Sequence, residues 1–391
     1  MAKSIKANIN PKVLIWARNS SNFDIIMVAD KIKVRPEQIE NWENGSDTPT
    51  IAQLRKLANV YKFPLSVFFL SIVPKNFSVM KDFRHLPDYM PAKFSPQLQL
   101  AIRKAQQRRE TAIELLSALV ETVPTFSKKI LPNDNIIDLA LDIRKFIHLE
   151  LDIQEKWKNA RIAFNQIRYL IENSGILVFE IDNVALEEMR GFAIAESIMP
   201  VIAINRKDSY NGRIFSLLHE FVHILLGKGG ISNSSYFDNS IEETEIFCNK
   251  LAAEILIPSS YLLMNPIIKS GINKYNDTEI LTLSKQFSVS EEVVLRRLLT
   301  LKKISRSFYQ EKRAKYLEVY KLNSNKKTSN KDFKQNIPVQ TITGLGVPYI
   351  TFAMENFNAE KINLNDLSNV LGGIKIKHIK TIGEKLGGIY G

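Results

Sequence analysis

The sequence predicts an α+β protein, predominantly α-helical, with one small β-sheet. Three observations lead there. Apolar residues recur at helical spacing through most of the chain. β-Branched residues concentrate in only three short runs, at 175–182, 191–197 and 199–205. Just beyond these runs lies FSLLHEFVHILLG, Phe215 to Gly227, apolar on nearly every face yet carrying two histidines and a glutamate. A helix of that kind belongs in a core, where ionisable groups are costly unless something pairs with them.

A chain of 391 residues has room for two or three domains. With 45% hydrophobic and 24% charged residues it has the composition of an ordinary soluble globular protein. No apolar run is long enough to span a membrane, and the start MAKSIKANINPK lacks the apolar core of a secretory signal, so a cytoplasmic location is expected. The single cysteine, Cys248, excludes an internal disulfide framework and a thiolate-rich zinc site. A metal here would need histidine and carboxylate ligands. The net charge of +12 points to an acidic partner such as nucleic acid, although a Lys-rich composition alone can produce it. The charge is uneven: from Lys302 to Lys334, eleven Lys and Arg face only Glu311, Glu318 and Asp332. Within that stretch NSNKKTSNKDFKQN reads as an exposed linker.

The first seventy residues read as short helices: PKVLIWARNSS, FDIIMVADKIKV, PEQIENWENG, TIAQLRKLANVYK and PLSVFFL. Only Val34 and Arg35 separate the second from the third, and Asn44-Gly45 closes the third. Two helices joined so tightly form a helix-turn-helix, whose second helix can lie in a DNA major groove. On Ala29, Val34, Ile39, Trp42, Glu43, Gly45, Pro49, Leu54 and Leu57, the segment resembles the lambda-repressor/Cro-like (XRE) helix-turn-helix family. The resemblance implies Ala29 as the small residue where the helices cross, Val34 as the plug of the turn, and Ile39 and Trp42 as the core face. It also implies double-stranded operator DNA as a partner, with Arg35, Gln38 and Asn41 as contacts, and a homodimer as a further assembly. The reading helix departs from expectation in carrying Glu37, Glu40 and Glu43 and no Lys or Arg, which repels phosphate. A bundle kept for docking a protein is the other reading.

A proline-rich connector, KDFRHLPDYMPAKFSPQ, precedes the long amphipathic helix LQLAIRKAQQRRETAIELLSALVETV. A helix pair follows, IIDLALDIRKFIHLE and EKWKNARIAFNQIRYLIENSG, and then the strand runs GILVFEID, GFAIAES and MPVIAIN. The sequence divides into residues 1–72, a connector with its long helix at 73–130, a core at 131–303, and a basic linker with a helical tail at 304–391.

His219 and His223 are four residues apart, so on a helix they stack on one face and can share one Zn²⁺. Glu220, beside His219, points to the flank of the metal, where it can take a proton from an activated water. Zinc needs a third protein ligand. The best supplier is the amphipathic helix IEETEIFCNKLAAEILIP, in which Glu245, Cys248, Asn249 and Ala252 share a face. Small residues at 248, 252 and 253 allow close approach to the histidine helix. Glu245 then offers the carboxylate, and Asn249 can accept a hydrogen bond from the far nitrogen of a ligating histidine. Glu242, Glu243 and Glu254 are rivals for the ligand role.

The blocks RIFSLLHEFVHILLG, preceded by PVIAIN, and ETEIFCNKLAAEILIP together resemble the ImmA/IrrE family of metallo-endopeptidases. In the second block Cys248 stands where that family usually has Ala, and Leu251 where it has an aromatic residue. The resemblance implies a zincin-like core, Zn²⁺ (or Mn²⁺) held by His219, His223 and Glu245, and Glu220 as general base. LSKQFSVSEEVVLRRLLTLKKIS resembles the helix-turn-helix-like trailing helices of that family. A DFR-x-LP element (Asp82, Phe83, Arg84, Leu86, Pro87) and the C-terminal helices extend the resemblance to a group encoded beside toxins, notably PIN-like ribonucleases. That implies a toxin as protein partner and a role as antitoxin or regulator.

Zinc peptidases usually add a group that holds the oxyanion. Tyr210 and Arg213 are the first candidates, with Tyr236 and His378 behind them. Residues 227–239 read as a loop over the site or a mere connector. The expected function is hydrolysis of a peptide bond in one protein partner by a DNA-binding regulator. The alternative is a non-catalytic antitoxin-repressor that masks a toxin directly, with a structural metal site. Glu220 discriminates for catalysis, because a purely structural site has no use for it.

Overall fold

The computed structural model describes residues 6–74, 94–228, 230–232, 243–269, 274–326 and 336–390. Asp82 to Pro87, Tyr236, Glu242 and most of the linker sequence lie outside the described residues. The chain forms two compact units.

The first unit contains α1 (Pro11–Ser20), α2 (Ile25–Ile32), α3 (Pro36–Asn44), α4 (Ile51–Tyr61), a 3-10 turn at Leu65–Phe69, and the first half of α5 (Pro96–Leu119). α1, α2 and α4 start where the sequence supplies a side-chain cap, and α3 starts at Pro36. Asn10 accepts from the Lys12 amide, Asp24 accepts from the Met27 amide, and Thr50 forms a capping box with Gln53. Lys33 takes a left-handed conformation (φ 61°) to close α2, and Val34 packs on the core as the plug of the turn. Ala29, Ile39 and Trp42 are buried together with Leu54 and Leu57, as the helix-turn-helix pattern requires.

Glu43 is not on the reading surface. Its carboxylate turns inward and receives two bonds from Arg18, at 2.7 and 2.9 Å. This pairing raises the Arg18 pKa and leaves Glu37 and Glu40 as the acidic residues exposed on α3. Arg35 and Asn41 are exposed and Gln38 is half-buried.

In the second unit, α6 (Ile136–Phe146), α7 (Leu151–Gln154) and α8 (Ala160–Asn173) precede a four-stranded sheet. Its strands are β1 (Leu177–Ile181), β2 (Gly191–Ile194), β3 (Val201–Asn205) and β4 (Gly230–Ser232), in the order β1-β3-β2-β4. β1 and β3 are parallel, with Leu177 opposite Val201, while β2 runs antiparallel to both β3 and β4. The β4 residues fall in the segment that the sequence reads as a loop or connector. A three-residue strand containing a glycine carries no alternation to be read.

α9 (Tyr210–Leu225) packs on β2 and β3, and α10 (Glu243–Leu256) packs on α9 and α6. Every residue of α9 from Arg213 to Leu225 is buried, so its apolar surroundings do mark a core helix. Ile214, Leu217, Leu218 and Phe221 meet Val178, Ala193, Ile202 and Ile204 from one face of the sheet. α11 (Ser259–Met264), α12 (Pro266–Lys269), α13 (Asp277–Phe287), α14 (Glu291–Thr300) and α15 (Arg306–Lys326) follow.

Polar bonds hold the last turn of α10. Arg144 donates to the Ile255 carbonyl (2.6 Å) and Gln154 to the Leu256 carbonyl (3.0 Å). Glu254 pairs with Arg297 and accepts from the backbone and hydroxyl of Ser259, at 2.6 and 2.7 Å.

The C-terminal helices are not a detached tail. α16 (Ile337–Leu345) packs on β1, and it is followed by α17 (Val347–Asn358), α18 (Leu364–Val370) and α19 (Lys377–Tyr390). On the far side of β1, Phe179 meets the Tyr349 ring edge-on, with centroids 5.8 Å apart, and the Arg108 guanidinium from the second half of α5. Gly346 has φ +80°, and a Cβ there would lie 2.6 Å from Glu172 Oε1, so only glycine serves at this junction. Among the described residues no helix is long and apolar enough to cross a membrane.

Candidate metal centre

α9 is set by its first turn. Ser209 caps it, accepting from the Gly212 amide at 3.1 Å. Gly212 itself sits against the Asp208 carboxylate, where a Cβ would overlap it. Asp208 is in turn held by Arg190 at 3.0 Å. From this fixed start the helix places His219 and His223 on one face, one turn apart.

α10 brings Glu245 to them. Its Oε2 lies 3.1 Å from His219 Nε2 and its Oε1 3.0 Å from His223 Nε2. The two Nε2 atoms are 3.1 Å apart, and all three residues are buried. His219, His223 and Glu245 thus form a group of ligand atoms lying within 4.8 Å of one another. Nitrogen ligands about 2.0–2.1 Å from a tetrahedral zinc ion lie roughly 3.3 Å from one another, so the residues present fit such an ion. Two ring nitrogens this close in a dry site also require a proton or a cation between them.

The electrostatics follow from this crowding. Burial alone would raise the Glu245 pKa, but hydrogen bonds from both histidines hold it down at about 2. Burial likewise works against a charge on His219, yet the bond to Glu245, with a smaller contribution from Asn249, raises its pKa. For His223 burial wins and the pKa is lowered, helped by the neighbouring His219.

Glu220 is 1% exposed. Its side chain lies over Gly191 of β2, where a Cβ would come within 3.0 Å of both its Cγ and its Oε1. The missing side chain makes the room that the carboxylate occupies. We expect Gly191→Val to displace the Glu220 carboxylate, and the added bulk should cost about 1–3 kcal/mol of stability. Thermal unfolding of the variant beside wild type checks this, and an unchanged melting temperature would refute the packing argument.

The other expected site residues separate. Asn249 is half-buried and one turn on from Glu245, where it contributes the smallest share of the rise in the His219 pKa. Glu243 is exposed at the start of α10, and Glu254 serves Arg297 and Ser259, so neither competes with Glu245. Tyr210 and Arg213, the first candidates for the oxyanion, are not gathered with the histidines. Tyr210 lies nine residues before His219, about two and a half turns, on the opposite face. Its ring contacts Phe164 and Arg213. The Arg213 guanidinium bonds the Asp208 and Arg206 carbonyls and the Glu180 carboxylate. His378 lies in the first turn of α19, which packs on α16 and α17.

Sequence reasoning missed Gly191, a lone glycine at the head of a strand. Cys248, read from the sequence only as a small residue on the Glu245 face, has its sulfur 3.8 Å from His223 Nδ1.

Residues 171–299, which contain this whole cluster, match the peptidase M78 family, described as the IrrE N-terminal-like domain. Residues 14–68 match a helix-turn-helix family. No curated protein matches the chain. In family terms, the chain joins a helix-turn-helix domain to an IrrE N-terminal-like domain of the M78 peptidases.

Proposed function

We propose that the chain is a zinc-dependent endopeptidase that cuts one specific protein partner and, through its helix-turn-helix domain, acts on DNA as a regulator or antitoxin. The observation that carries the reading is the convergence of His219, His223 and Glu245 beside a buried Glu220. These three side chains would hold the ion. When bound, a divalent ion supplies Lewis acidity, polarising the scissile carbonyl and making water more acidic. Glu220 takes the proton from the attacking water and then delivers it to the leaving amine, as general base and acid in turn. Asn249 orients His219. Burial of the whole cluster excludes bulk water and strengthens each of these interactions. His and carboxylate ligands also tolerate Mn²⁺.

On the DNA side, Arg35, Gln38 and Asn41 would make the contacts. The inward turn of Glu43 removes one of three carboxylates that would oppose phosphate. The partner class, a PIN-like ribonuclease toxin, and a homodimeric assembly rest on the resemblance of the architecture.

Metal analysis by mass spectrometry tests the reading. Wild type should carry about one zinc per chain, and His219→Ala and Glu245→Ala should each lose it. A wild-type protein that takes up no metal even after incubation with zinc refutes the proposal.

A further inference from the structure

α10 does more than deliver Glu245. Three residues further along the same helix, Cys248 is fully buried, and its sulfur lies 3.8 Å from Nδ1 of His223. The opposite ring nitrogen of that histidine, Nε2, faces Glu245 at 3.0 Å and belongs to the metal cluster. A neutral imidazole that gives Nε2 to an ion carries its proton on Nδ1. That N–H then needs an acceptor on the side away from the metal, because a buried donor left without one is costly. Thiol sulfur is a weak acceptor, but here it stands at the required place.

We propose that Cys248 is a positioning residue: its sulfur accepts the Nδ1–H of His223, fixing the tautomer and ring orientation that present Nε2 to the metal. The inference rests on the reading that His219, His223 and Glu245 bind an ion. The opposing view is that Cys248 is only a small residue letting α10 approach α9.

The experiment uses the full chain and zinc alone, with affinity measured by competition against a chelator for wild type, Cys248→Ala and Cys248→Ser. The alanine variant should bind zinc about tenfold more weakly, as loss of an outer hydrogen-bond partner does. Serine, which keeps an acceptor, should restore affinity to within about threefold of wild type on the same grounds. Alanine binding as tightly as wild type, or alanine and serine weakened equally, overturns the proposal in favour of packing. Nitrogen NMR of zinc-loaded wild type gives a test that needs no variant. A proton on His223 Nδ1 supports the assignment, and one on Nε2 refutes it. Failure of wild type to bind zinc at all would refute the metal reading itself, an outcome distinct from failure of the variants to differ.

Discussion

On the peptidase reading proposed above, Glu220→Gln should slow cleavage of a partner protein by about 10²- to 10⁴-fold, the usual worth of a general acid–base group. Its zinc content should remain that of wild type. The substitution keeps the size of a side chain that is 1% exposed and wedged over Gly191, so the fold has little reason to respond. An amide cannot accept the proton of the attacking water, and the loss therefore falls on the chemical step. Cleavage is followed on a candidate partner protein with wild type as the reference, with metal measured on the same samples. Unchanged cleavage would remove Glu220 from the mechanism. Loss of zinc would make it a ligand or a structural prop.

Glu180→Ala should be strongly destabilising. The Glu180 carboxylate lies on β1, 3.2 Å from Arg168, 2.9 Å from Arg206 and 3.4 Å from Arg213. Arg168 also donates to the Thr343 carbonyl at 2.6 Å, and Arg206 to the Thr343 hydroxyl at 3.0 Å. One carboxylate thus anchors cations from α8, the end of β3, α9 and, through them, α16. Its removal leaves the Arg213 guanidinium to backbone carbonyls alone, and Arg168 and Arg206 to Glu172 and Asp182, at about 3–5 kcal/mol. That corresponds to roughly 10 °C in melting temperature for a unit of this size. Asp182, which pairs with Arg206 from a side chain that is 54% exposed, provides the contrast. Asp182→Ala should change stability by at most about 1 kcal/mol. Hydrogen exchange across β1 and α16, measured for both variants, separates them, and equal loss of protection would refute the network argument.

The metal cluster was legible in the sequence for a physical reason. His219, Glu220 and His223 lie on one helix turn, which periodicity alone reads; for Glu245 periodicity put it forward on the face of a second helix, and the resemblance of that block singled it out from Glu242, Glu243 and Glu254. The three longer strands were legible because β-branched residues concentrate there. The Glu180 network was not. Its members at 168, 180, 206, 213 and 343 are scattered along the chain; the four charged ones each read alone as surface charges, and Thr343 as an ordinary polar residue. Arg213 illustrates the consequence: it is near His219 in sequence and so a natural oxyanion candidate, but the buried Glu180 claims it. The C-terminal helices have the same difficulty. An amphipathic helix declares that it has an apolar face but not what that face covers, and Tyr349 turns out to seal the sheet at Phe179.

The two ends of α10 are held by different means. Its last turn is fastened by Arg144, Gln154 and Arg297, all within the protein. Its first turn is fastened to α9 through Glu245 and the two histidines. Mechanically the helix is a cantilever, and an ion of the kind proposed for the cluster would pin its other end. Whatever withdraws the ion therefore also softens the span from Glu243 to Asn249, leaving the anchored end stiff. A chelator should raise hydrogen exchange in that first half alone, so that the protein's response to metal would be graded along a single helix.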